Sequence, residues 1–368
     1  MSGIWGSNYK LSIFGESHGK AIGMVLNGLP VGIELDMEQI SKEMERRAPG
    51  RDNLSTPRVE GDQFEIVSGI LDDTTTGAPL CSMIWNSSQR SKDYSHIRYV
   101  MRPGHADYPG FVKYKGFNDY RGGGHFSGRI TAPVVFAGAV AKQILARKGI
   151  TVGAHIKSIG SVSEESFDAV NLNAETLLEL AKKPFPVIDE SAGEAMKQVI
   201  LEAKEELDSV GGTVEVGVTG IPVGIGDPFF DSVESKIASL VFSVPGTKGL
   251  EFGAGFAISD MKGSESNDEY YMDGDAVKTY TNNNGGITGG ISNGMPIVYS
   301  VAIKPTSSIS KKQRTIDVKE QSETELEVHG RHDPCIVHRT VPVLEAITAI
   351  AILDLMLGTE GASGFEPR

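Results

Sequence analysis

Cysteine is nearly missing from this chain: its 368 residues hold two, Cys81 and Cys335. Two cysteines build no disulfide framework, which excludes the stapled secreted scaffolds and points to a reducing cytoplasm. A charge-free apolar run is missing too. The longest apolar stretch, VPVLEAITAIAILDLMLG at 341–358, carries Glu345 and Asp354. A membrane span is nearly charge-free over about 20 residues, so the stretch reads as a buried helix and no membrane partner is expected. No apolar segment follows a basic start, so no signal peptide is read. Basic excess is absent as well. Net charge is −13, which excludes a general nucleic-acid binder. His329 and His332 stand close together, but no Asp, Glu or Cys set near them has a zinc spacing, and no metal is expected.

Glycine, by contrast, is abundant: 44 of 368 residues, where about 7% is usual. It clusters in RGGGHFSG at 121–128 and in NNNGGITGGISNG at 282–294. Such clusters let a backbone approach a ligand closely or adopt positive φ. Charge is uneven. Between Arg90 and Arg129 lie Arg90, Lys92, Arg98, Arg102, Lys113, Lys115, Arg121 and Arg129, against only Asp93, Asp107 and Asp119. A basic track on an acidic protein suits a small anionic ligand in a cleft.

A repeat runs through the chain. GLPVGI at 28–33 returns as GIPVGI at 220–225, each after an alternating apolar stretch that reads as a strand. A short helix is predicted after each, opened by Asp36 with Gln39 and by Asp231 with Glu234, both of capping-box form. TGAPLCSMIWNSS (76–88) resembles NGMPIVYSVAIKPTSS (293–308). APVVFAGAVAKQILARKG (132–149) resembles VPVLEAITAIAILDLMLG (341–358), both apolar nearly all round and ending at glycine. The three matches fall in the same order. No Pro- or Ser-rich linker divides the chain, and a helix near 191–208, opened by Ser191 and Glu194, bridges the halves. The reading is one domain over 1–368, duplicated internally over approximately 10–150 and 210–358. Its class is α+β: a sandwich of pseudo-twofold halves, with the two apolar helices packed between antiparallel sheets.

Two loops stand out. RGGGHFSGR (121–129) and GRHDPCIVHR (330–339) each run into one of the apolar helices, and each carries arginines: Arg121 and Arg129, Arg331 and Arg339. Helix starts favour anions, so the repeat predicts two anion-friendly corners facing one cleft. Seven of the eight histidines lie near such loops, which suits proton transfer near neutral pH. Only His155 stands apart. GESHG at 15–19 fits G-x-S-x-G, the nucleophile elbow of serine hydrolases. An elbow needs a helix after it, and KAIGMVLNGLP reads as strand and turn. His18 is the better candidate than Ser17.

Together FGESHG (14–19), RRAPG (46–50), RPGHADY (102–108), DYRGGG (119–124), KGLEFG (248–253), GGITGGISNG (285–294), KPTSSI (304–309) and GRHDPC (330–335) resemble the chorismate synthase family over nearly the whole chain. The resemblance implies a carbon–oxygen lyase of the shikimate pathway, which serves aromatic amino acid biosynthesis. Its substrate would be 5-enolpyruvylshikimate 3-phosphate. Phosphate would leave by 1,4-anti elimination, with reduced FMN required and no net redox change. The resemblance places the acid for the departing phosphate at His18, a proton donor toward the flavin at His105, and a carboxylate at flavin N5 at Asp333. FMN contacts fall on His125, Phe126, Ser127, Gly289, Lys304, Pro305, Thr306, Ser307, Ser308 and Arg331. Arg47 matches a position linked to NADPH, with Arg46 beside it. Arg129 and Arg339 are read as holding the substrate's anionic groups. A homotetramer and an external flavin reductase are further implications. The competing readings are a flavin-binding protein without lyase activity, or a hydrolase using GESHG. The chain departs from the commoner Arg-Ser-Ser-Ala-Arg at His125–Arg129 and carries Asn53 where a second arginine is frequent.

Overall fold

The computed structural model describes residues 3–50, 54–55, 61–86, 98–328 and 332–367. Arg331, His96, His329, Asn53, Arg90 and Lys92 lie outside the described residues.

Two five-stranded sheets form the frame. The first takes β1 (Ile4–Trp5), β2 (Lys10–Gly15), β3 (Ala21–Asn27), β4 (Phe64–Ser68) and β5 (Leu80–Trp85), in the order β1-β2-β3-β5-β4. The second takes β6 (Thr151–Ile159), β7 (Val162–Ser163), β8 (Gly212–Thr219), β9 (Thr247–Phe252) and β10 (Ile297–Ile303), in the order β9-β10-β8-β6-β7. Every pairing is antiparallel. The orders β2-β3-β5-β4 and β6-β8-β10-β9 run alike, with GLPVGI following β3 and GIPVGI following β8.

The helices of nine residues or more are α1 (Met37–Arg47), α2 (Thr131–Ala146), α3 (Ala174–Lys182), α4 (Glu190–Glu205), α5 (Val233–Val241) and α6 (Val337–Glu360). α1, α2 and α5 pack on α6 in the main core, whereas α3 packs on β6 in a separate cluster, with Leu177 against Gly153. α2 packs on β3 and α6 on β6 and β8, and the two helices pack on each other. Ile22, Met24 and Leu26 of β3 alternate inward and are fully buried, as a strand with one covered face requires. The helices cross so closely that a Cβ on Gly138 would lie 2.2 Å from the Ala346 Cβ. Gly128–Ala146, which includes α2, and α6 are apolar and long enough to span a membrane by length and composition, yet they are mostly buried inside the protein.

The two buried acids of α6, Glu345 and Asp354, are answered by groups from other segments. Buried Glu345 accepts from Arg46 (2.6 and 2.8 Å) and pairs with Lys142. Burial would raise its carboxyl, but Arg46 and Lys142 outweigh that and hold it at about 2. Asp354 accepts the backbone N–H groups of Ser7, Asn8 and Tyr9 at 2.9, 2.6 and 2.8 Å.

Helix ends differ from the sequence reading by a few residues. Asp36 does cap α1 through the Gln39 N–H. The cap of α5, however, is Ser232, whose Oγ accepts from Ser235 N–H at 3.0 Å; Asp231 instead pairs with Lys236. Asp189, not Ser191, caps α4. α6 runs past Gly358 to Glu360 and stops at Gly361, with φ 72°. Capping needs only an oxygen one residue outside the first turn, so neighbouring Asp and Ser compete and local geometry decides.

Candidate active site

The starts of α2 and α6 line one cleft of about 200 Å³, with Ser127, Gly128, Arg129 and Thr131 from one half and Asp333, Ile336, Arg339 and Thr340 from the other. Arg47 from the end of α1 closes it. Three guanidiniums therefore share one small space. Buried Asp62 sits between two of them, accepting from Arg47 Nη1 at 2.5 Å and pairing with Arg129. Burial would raise the Asp62 carboxyl, but Arg47 and Arg129 outweigh it and hold it below the usual range. The Asp333 carboxylate accepts from Arg339 Nη1 at 2.8 Å. Arg339 also donates through Nε to the Arg47 carbonyl at 3.3 Å. Burial, the largest cause, pushes the Arg339 guanidinium below its usual value. Desolvated guanidiniums with fixed counter-charges bind anions strongly, because solvent does not screen them.

The glycine run Gly122–Gly124 is the hinge of the site. Its φ values are 59°, 83° and 55°, all left-handed, where only glycine is comfortable. Gly122 packs on the His18 ring and Gly123 on the His105 ring. Gly124 accepts the Ser17 N–H at 3.0 Å. His18 and Ser17 are both buried. The chain after GESHG enters β3, not a helix, so the elbow geometry is absent and Ser17 has no nucleophile's setting.

His105 is held from behind. Its Nδ1 lies 2.6 Å from Asp107 Oδ1, and Asp107 is also gripped by Arg102 through Nε and Nη2 at 2.7 and 2.9 Å. Burial would raise the Asp107 carboxyl, but Arg102 and His105 hold it far below the usual range. An ionised Asp107 fixes the proton on Nδ1 and leaves Nε2 turned toward Gly123.

Beside His105 lies the Lys304–Ser308 run. Lys304 Nζ donates to the Gly104 carbonyl at 3.1 Å. Burial and then Lys248 push its ammonium below the usual value, and among the described residues it makes no ion pair. A lysine kept beside another lysine without an acid is arranged for an external anion. Ser307 lies against Gly104, Ser308 Oγ accepts from Arg102 Nη1 at 3.1 Å, and Thr306 Oγ1 donates to the Asp333 carbonyl at 2.6 Å. Pro305 packs on Gly211. These residues fit a phosphorylated cofactor.

Other expected residues lie elsewhere. His125 bonds through Nδ1 to the Gly15 carbonyl at 2.7 Å, and Phe126 packs on Gly110; only Ser127 of that trio lines the cleft. Gly289 lies at the turn of a small hairpin, Ile287–Thr288 with Ile291–Ser292, that precedes β10, while Lys304 follows β10. Among the described residues of the basic track, only Arg129 lines the cleft: Arg121 pairs with Asp119, and Arg98 lies over Tyr99 and Tyr120. Arg46 is committed to Glu345 and Glu43. Asp62, Val244 and Pro245 carried no motif in the sequence, yet they sit at the cleft. Asp107 was legible, two residues after His105. Among the described residues no group of three His, Cys, Asp or Glu is gathered as a metal site.

The site is an α+β sandwich's anion-friendly cleft, with three arginines gathered at two helix starts. The chorismate synthase family profile matches residues 9–357. A chorismate synthase of Dehalococcoides mccartyi is 44% identical over 100% of this chain and 99% of its own. That of Thermococcus gammatolerans is 46% identical over 98% and 99%, and that of Methanothermobacter thermautotrophicus 45% over 96% and 93%. A crystal structure of chorismate synthase superposes with TM-score 0.75 at 30% identity, covering 97% of this chain and 94% of that one. The chain belongs to the chorismate synthase family, a carbon–oxygen lyase of the shikimate pathway.

Proposed function

We propose that the Arg47–Arg129–Arg339 cleft holds 5-enolpyruvylshikimate 3-phosphate while phosphate leaves by 1,4-anti elimination to give chorismate. The observation that carries this reading is the convergence of Arg129 and Arg339, one from each half, on one space. The guanidiniums orient the substrate's anionic groups in a water-poor setting, which raises effective concentration and strengthens each contact. His18 supplies the proton to the departing phosphate. His105, with Nδ1 tied to Asp107, presents Nε2 toward the flavin. Asp333, held by Arg339, would be the carboxylate facing the flavin. Reduced FMN, held there, would supply electron density for the loss of phosphate and an acceptor for the substrate's C6 hydrogen. Lys304, Ser307 and Ser308, with Thr306 and Pro305 shaping the loop, would hold it.

Further parts of the reading are a homotetramer, a cytoplasmic location and an external flavin reductase. NADPH is the alternative reductant. Since Arg47 is buried in the cleft wall, a nucleotide reaching Arg47 would compete with substrate, and steady-state inhibition patterns would display that.

The test is anaerobic incubation with chemically reduced FMN and the substrate, following both products. Equal release of chorismate and phosphate only with reduced flavin is expected. Phosphate release with oxidised flavin would overturn the reading. His18→Ala, His105→Ala and Asp333→Ala are each expected to lower turnover about tenfold or more, while Ser17→Ala keeps measurable activity.

A further inference from the structure

We propose that Asn86 is a positioning residue that ties Arg129 to the Glu16–Gly19 turn carrying His18. Asn86 is the first residue after β5. Its Nδ2 donates to the carbonyls of Glu16 and Gly19 at 3.1 and 3.0 Å, the two ends of that turn. Its Oδ1 accepts from Arg129 Nε at 3.2 Å. Its backbone N–H reaches the Lys20 carbonyl at 3.1 Å. The amide's orientation follows from its surroundings: a flipped group would set its NH₂ against a guanidinium and its oxygen against two carbonyls. One planar side chain thus adds a direct tie between the turn and Arg129, whose loop already meets the turn through the Ser17 N–H and the Gly124 carbonyl. It sets the place of the residue that protonates the leaving group relative to one that grips the substrate.

The side chain's chemistry is specific. Aspartate keeps the shape and the acceptor for Arg129, but loses both donors and turns a charge toward two carbonyl oxygens. Alanine loses both functions. This inference rests on the roles given above to His18 and Arg129. Its test therefore runs Asn86→Asp, Asn86→Ala and His18→Ala in one anaerobic assay of the full-length protein with reduced FMN, beside a titration of FMN binding.

Both Asn86 variants are expected to lose about tenfold or more in kcat. Asn86→Ala is expected also to raise KM for the substrate about threefold or more, because Arg129 loses its Nε acceptor. FMN affinity is expected to stay at the wild-type value. A kcat for Asn86→Asp within twofold of wild type, alongside a slow His18→Ala, would overturn the positioning role alone. If kcat falls with KM unchanged and FMN binding falls in parallel, Asn86 is structural and the proposal fails. Wild-type turnover in His18→Ala removes the role of His18 and the positioning of it together.

Discussion

Gly122 lies against the His18 imidazole so closely that a Cβ on it would sit 2.4 Å from both Cε1 and Nδ1 of the ring. The left-handed φ of 59° at the same residue adds a second reason for glycine. Gly122→Ala must push His18 from its place or unwind the turn. It is expected to lower kcat about tenfold or more. Wild-type turnover with unchanged melting temperature would show that His18 does not depend on this backbone.

Asp107 is expected to matter through His105. Asp107→Asn preserves shape but allows the wrong imidazole tautomer to be stabilised. Turnover is expected to fall about tenfold or more, with substrate KM near the wild-type value, since Asp107 does not line the cleft. Steady-state kinetics with reduced FMN in excess checks it; a rise in KM alone would contradict it.

Asp62 neutralises Arg47 and Arg129 from a fully buried position. Asp62→Ala leaves two buried guanidiniums without that carboxylate. The expected cost is roughly 3–5 kcal/mol in urea unfolding, the range for breaking a buried ion pair. A loss under about 1 kcal/mol would mean that water or another group takes over the charge.

His155, the histidine apart from the site loops, is clamped between Glu164 at Nδ1 and Glu215 at Nε2, the latter at 2.9 Å. Lys157 holds the other Glu215 oxygen at 2.9 Å. Burial would lower its pKa, but Glu164 and Glu215 outweigh burial and raise it. A raised folded pKa contributes stability that is fully present below the unfolded value, about 6.5, and is lost as pH rises through the folded value. Wild type should therefore exceed His155→Gln in melting temperature most at about pH 6, with the gap narrowing toward alkaline pH. A gap independent of pH would show that His155 is neutral in the fold.

The main strands and the two apolar helices follow from the sequence alone. Strand alternation in AIGMVLN and TVEVGVT, the apolar helices ending near glycine, and the paired loops before them were all legible because each depends on neighbours within a few turns of chain. The same locality put His105 beside Asp107 and made GESHG a strand end rather than an elbow. Tertiary structure alone decided which arginines share a cleft. Arg121 and Arg129 stand in one loop, yet Asp119 takes the first and Asp62 the second, and only the second faces Arg339. Arg46 and Arg47 are adjacent, yet the helical turn sends one to Glu345 and the other to Asp62. Counter-charges that come from distant segments leave no local signal, because burial and pairing are set by how the two halves close on each other.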